Sequence, residues 1–138
     1  MGEELELFPM GLRKSQIEQL TSHAEEAASL SITDLIEAAR RHLDLTRQAC
    51  VENPIINVKL ATTLFKTIEQ LAKRWDGLAP NVRYWLSGAM LYFAKCRDDE
   101  PDFTSPIGFE DDTEVLNACL RLGGLDELCI SPEDYDDV

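Results

Sequence analysis

The chain has 138 residues, a mass of 15.5 kDa and a hydrophobic content of 44%, enough for one domain with a single core and too apolar for a mostly disordered chain. Its formal net charge of −13 would repel nucleic-acid phosphates and anionic lipid and attract basic partners. No apolar run approaches the roughly 20 residues that span a bilayer, and MGEELELFPM lacks the basic flank and long apolar stretch of a secretory signal.

Helical periodicity dominates in chain order. The first helix is expected from about Leu12 to Ala28, with Ile17, Leu20, Ala24 and Ala27 on one face. Ser31, with Asp34 three residues on, forms a variant of the capping box. It opens a second helix striped by Ile32, Leu35, Ile36, Ala39, Leu43 and Cys50, with Arg40, Arg41 and Arg47 on the other face. Asn53-Pro54 reads as a cap followed by proline at the first helical position. The third helix then carries Ala61, Leu64, Phe65, Ile68, Leu71 and Trp75 and ends at Gly77. Ala79-Pro80-Asn81 opens a fourth helix with Val82, Trp85, Leu86, Ala89, Met90 and Phe93 inward. A fifth is expected to start at Asp111 or Asp112 and to stop at Gly123-Gly124, with an apolar turn from Leu125 to Ile130 closing the core. No segment alternates with period two for long enough to make a sheet. The expectation is an all-α, single-domain bundle of about five helices over residues 1–130, followed by an acidic tail over 131–138.

The charge is unevenly placed. Residues 1–97 hold 12 Lys and Arg against 12 Asp and Glu, whereas residues 98–138 hold Arg121 against 14 acids, so the last segment carries the whole net charge of −13. The acids gather in the loop between the fourth and fifth helices and in the closing SPEDYDDV. This distribution nominates Asp98, Asp99, Glu100, Asp102 and Glu110 from the loop and Glu133, Asp134, Asp136 and Asp137 from the tail as a surface that engages a basic partner. The plainer reading of the tail is a solvated segment that keeps the protein soluble.

Two readings also stand for the aspartates around the loop. Asp98, Asp102, Asp111 and Asp112 could converge as an oxygen-rich Mg²⁺ or Ca²⁺ site, although their spacing is not that of an EF-hand. Turn and capping chemistry accounts for the same residues more economically. Asp111 would cap the fifth helix with Glu114 three residues on, Asp112 would sit beside its dipole, and Asp102 would bond backbone after Pro101.

The remaining candidates read as ordinary. His23 and His42 stand on helix flanks with no partner at ligand spacing and are expected at the surface or its boundary. Cys50, Cys96, Cys119 and Cys129 form no CxxC pair and suit reduced thiols in a cytoplasmic protein. Trp75, Trp85, Tyr84, Tyr92 and Phe93 fall at helical spacing, as core aromatics do. Lys59, Lys66 and Lys73 recur every seven residues, as a solvated face or an internal partner for the acidic segment. No GxSxG, Walker loop or HExxH helix occurs.

The stretch from Tyr92 to Asp112 resembles the YkvA-like helical domains of unknown function. The resemblance lies in Tyr92, then Asp98, then Pro101-Asp102-Phe103, then Gly108-Phe109 with Asp111-Asp112, and covers about a seventh of the chain. Where that family has an apolar stretch around the first aspartate, often beginning with proline, this chain has Cys96-Arg97-Asp98-Asp99-Glu100. The resemblance implies a helical fold and a loop of interest, and supplies no reaction.

The functional expectation is therefore a non-enzymatic acidic interaction protein, of an adaptor, inhibitor or immunity type, without a cofactor. The alternatives are a metal-dependent hydrolase built on the aspartates and a nucleic-acid mimic that competes for a DNA-binding surface.

Overall fold

The computed structural model describes residues 9–52, 58–94 and 108–130, with side chains in the last segment described from Asp112 onward. Among the described residues five α-helices follow one another: α1 (Lys14–Ala27), α2 (Ile32–Glu52), α3 (Val58–Lys73), α4 (Pro80–Ala94) and α5 (Gly108–Leu122). Short 3₁₀ turns follow α3 at Trp75–Gly77 and α5 at Asp126–Leu128. No strand occurs among the described residues, and the molecule is the all-α bundle that the periodicity predicts.

Local chemistry sets where the helices start and stop. At the head of α2 the Asp34 backbone N–H donates to Ser31 Oγ at 3.1 Å, and the Ser31 backbone N–H donates to the Asp34 carboxylate at 3.2 Å. Two donors that the first turn would otherwise leave unsatisfied are thereby paired. Pro80 is the first residue of α4, where its missing N–H costs no intrahelical bond. At the foot of α5, Gly124 adopts φ +73°. Leu125 N–H then reaches Leu120 O at 2.9 Å, and Gly124 N–H reaches Arg121 O at 3.1 Å. This is a Schellman cap, and a residue with a Cβ would be strained at its left-handed position.

The core is organised around α4. Every residue from Leu86 to Phe93 is buried, so this segment is a central helix rather than one with a single inward stripe. It packs against α1, α2 and α5, while α3 packs on α2 and touches α5. The remaining helices contribute most of the stripes expected of them: Leu20, Ala24 and Ala27 from α1, Leu35, Ala39 and Leu43 from α2, Ala61, Leu64, Phe65, Ile68 and Leu71 from α3, and Val115, Leu116, Cys119 and Leu120 from α5, with Leu60 buried besides, whereas Ile17, Ile32, Ile36, Cys50 and Trp75 are only partly buried.

The segment after α5 closes the base of the bundle, as its apolar residues suggest. Leu125 and Ile130 are buried. The Asn117 side chain holds both polar groups of the Ile130 backbone, accepting from its N–H and donating to its carbonyl at 2.9 Å each. Arg74, just past α3, donates to Glu127 at 2.9 Å, which ties the same segment to the end of α3. That bond and the adjacent positive charge hold the Glu127 carboxyl below the usual carboxylate range.

Three expectations need correction. Helix α5 begins at Gly108, so Asp111 is its fourth residue and the N-cap lies upstream of it. Glu114 pairs with α1 instead of a cap: Gln16 Nε2 donates to it at 2.9 Å and the Arg13 guanidinium lies 3.8 Å away. His42 is 2% exposed, well inside the boundary position expected for it. The proposed Asn53-Pro54 helix start lies outside the described residues, and α3 is described from Val58.

Candidate functional site

Helix α4 finishes at Ala94 and α5 starts at Gly108, on either side of the acidic stretch of the sequence. The final turns of α4 bring two consecutive aromatics against two histidines from different helices. His23 of α1 lies edge-to-face with Tyr92, with ring centroids 5.6 Å apart at 80°. His42 of α2 meets Phe93 in the same manner at 5.1 Å and 86°. Edge-to-face pairs of this kind contribute about 0.5–1.5 kcal/mol beyond the area they bury. Along α2, Thr46 is fully buried one turn beyond His42 and donates to the His42 carbonyl at 2.8 Å. On α5, Asp112 and Thr113 are buried as well, at 2% and 4% exposure. The histidines are therefore structural members of an aromatic layer. Hydropathy alone did not separate this role from a surface one; a clue lay in the placement of His42 one residue before core Leu43.

Beside this layer runs a cleft of about 290 Å³ lined by Glu26, Leu30, Ala38, Arg41, His42, Leu45, Leu91 and Ala94. Leu30 and Leu45 remain 37% and 46% exposed. A second depression, about 260 Å³, lies between the residues at the head of α1 and α5 and is lined by Arg13, Gln16, Glu114, Asn117 and Arg121 among others. Its charges are largely mutual: the Gln16 and Arg13 contacts to Glu114 span it.

The residues nominated from the sequence divide sharply. Asp98, Asp99, Glu100 and Asp102, and Glu133, Asp134, Asp136 and Asp137, lie outside the described residues. Glu110 and Asp111 belong to the first turns of α5 by their backbone. Asp112, nominated as a metal ligand and as a dipole partner, is turned into the protein. Among the described residues, no group of three His, Cys, Asp or Glu side chains is placed to hold a metal ion. Lys59, Lys66 and Lys73 are exposed along α3. Arg74 and Arg13, rather than this lysine face, meet the two acids of the C-terminal segment for which ion pairs are described.

Cys50, Cys119 and Cys129 are free thiols. Cys119 is buried and donates to the Trp85 carbonyl at 3.5 Å, and burial raises its thiol far above its ordinary value. Cys129 donates to the Asn117 carbonyl at 3.7 Å, and burial raises its thiol too, against the opposing pull of Arg121. Neither is poised as a nucleophile, which requires an accessible thiolate.

The fold and this site define a helical-bundle protein with an aromatic layer. No family model, curated protein or solved structure matches the chain. No helix among the described residues is long and apolar enough to cross a membrane.

Proposed function

We propose that the chain is a non-enzymatic interaction protein whose acidic end, the α4–α5 loop and the C-terminal segment, engages a basic surface on another protein. The observation that carries this reading is the placement of charge: residues 1–97 are balanced, and residues 98–138 hold the entire −13. A lopsided field of this kind accelerates encounter with a basic partner and orients it, and does so less as salt rises. The architecture is compatible with such a role. Both ends of the loop are carried by helices packed on each other, α4 and α5, and the chain leading to the tail is fixed by the Asn117 bonds to Ile130. Free thiols at Cys50, Cys119 and Cys129 fit a reducing, cytoplasmic setting. The YkvA-like resemblance of Tyr92 to Asp112 belongs to the same reading, since it implies a helical fold and a loop of interest without a reaction.

Affinity capture with the full chain, in parallel with a variant whose loop acids are changed to Asn and Gln, tests the proposal. A basic protein retained by the first and lost by the second is the expected result. Competition by duplex DNA for the captured partner would move the reading to a nucleic-acid mimic. Capture indifferent to the substitutions would overturn it.

A further inference from the structure

We propose that residues 126–130 form a latch that opens as one unit, on a hinge at Gly124, while the bundle stays folded. The hinge is the left-handed Gly124 that caps α5, at φ +73°. Beyond it the chain is a compact turn closed on itself. The Leu128 backbone N–H donates to the Leu125 carbonyl at 2.9 Å, and the Cys129 backbone N–H donates to the Asp126 carbonyl at 3.1 Å. The attachment of this turn to the bundle is narrow. Of its five residues only Ile130 is buried, while Leu128 and Cys129 are half-buried and Asp126 and Glu127 are exposed. A segment with so few buried apolar side chains belongs to the low-stability end of a fold.

Its ties converge, which makes the opening cooperative. Asn117 accepts from the Ile130 N–H and donates to the Ile130 carbonyl, and the Asn117 carbonyl accepts from the Cys129 thiol at 3.7 Å. Withdrawing Ile130 from the core breaks these bonds together, as coupled members of one network. The tie toward α3 is Arg74 to Glu127 at 2.9 Å, between side chains that are 45% and 58% exposed. An exposed pair contributes little and salt weakens it. Ionic strength therefore acts on the latch without reaching the core.

The functional meaning of the latch rests on the acidic-end reading. Glu133, Asp134, Asp136 and Asp137 follow it in the chain. A closed latch starts their tether at Ile130. An open one adds five residues, about 17 Å of extended chain, to the distance over which the tail can meet a basic surface.

Native-state hydrogen exchange on the full chain, with no partner present, reads the latch at the Leu128, Cys129 and Ile130 amides against Leu116 and Leu120 in α5. The three latch amides should share one protection factor, at least about tenfold below that of the α5 amides. Arg74→Gln and Glu127→Gln should each speed all three about twofold, and the double variant should do no more than either alone. Raising the salt to about 1 M should bring the wild type level with the variants and leave the variants unchanged. Both side chains are exposed, so exchange at Leu116 and Leu120 should stay as in the wild type. Latch amides that exchange only with α5, or one after another from Ile130 inward with separate protection factors, would overturn the proposal. So would variants that alter α5 as much as the latch. Because no partner enters the measurement, a latch that fails leaves the acidic-end reading standing, and a partner indifferent to the acids leaves the latch standing.

Discussion

Gly88 on α4 faces Ala24 on α1 so closely that a Cβ added at Gly88 would lie 2.8 Å from the Ala24 Cβ and 3.0 Å from its Cα and N. The contact is backbone against backbone, so no flexible side chain can move aside. Gly88→Ala would gain about 1 kcal/mol of helix propensity and lose about 1–3 kcal/mol to overpacking. The second should win, because three Ala24 atoms lie within 3.0 Å of the added Cβ and none of them is the end of a flexible side chain. Thermal or urea unfolding should show a net loss of about 1 kcal/mol, whereas an unchanged or raised melting temperature would mean that α1 and α4 can separate freely. Ala24→Gly should partly rescue the variant.

The attachment of the C-terminal segment should depend on Asn117. Its amide holds both the N–H and the carbonyl of Ile130. Asn117→Leu would leave those two backbone groups without that partner, at about 1–3 kcal/mol. Asn117→Asp keeps the acceptor and loses the donor, so it should cost less. Native-state hydrogen exchange at the Ile130 amide reads this directly, with protection falling in the order wild type, Asp, Leu. Equal protection in all three would show that the apolar contacts of Leu125 and Ile130 suffice.

Cys119 supplies a dependence on pH. Its thiol is raised in the folded state by burial, so the folded protein resists losing this proton while the unfolded chain releases it near the ordinary thiol value of about 9. The associated stability is complete below that value and is lost progressively as pH rises beyond it. Unfolding free energy should therefore fall more steeply above pH 9 in the wild type than in Cys119→Ala, whatever the offset that the smaller side chain introduces. Parallel slopes would contradict the assignment. At neutral pH, alkylation of native protein should label the half-buried Cys50 ahead of Cys119.

Much of this architecture was legible in the residues. Ser31 and Asp34 marked a helix start because capping is local chemistry, and Gly123-Gly124 marked a stop because a left-handed cap position favours glycine. The all-round burial of α4 was less legible. A stripe through Leu86, Ala89, Met90 and Phe93 describes one face, and only packing shows that Ser87, Gly88, Leu91 and Tyr92 meet further helices on the others. The start of α5 was missed by three or four residues because acidic Asp111 and Asp112 suit a helix's first turn as well as its cap. His42 was misread because an imidazole ring can pack edge-on to an aromatic, a contact that depends on where Phe93 lies in space. The cleft was invisible for the same reason, since its lining comes from three helices and the α1–α2 connection and is not contiguous in the chain.

The measurement that bears most directly on the acidic-end account is the association rate constant with the captured basic partner, followed from low to high salt. Charges beyond about 8 Å are screened at physiological ionic strength, and steering acts mainly on the rate of encounter. The account predicts that the wild-type rate falls steeply with salt while dissociation changes little. Neutralising Asp98, Asp99, Glu100, Asp102 and Glu110 together should flatten that dependence and leave the melting temperature nearly unchanged. Removal of residues 131–138 should act in the same direction less strongly. An association rate indifferent to both salt and these changes would contradict the account and leave the acidic end as a solubilising surface.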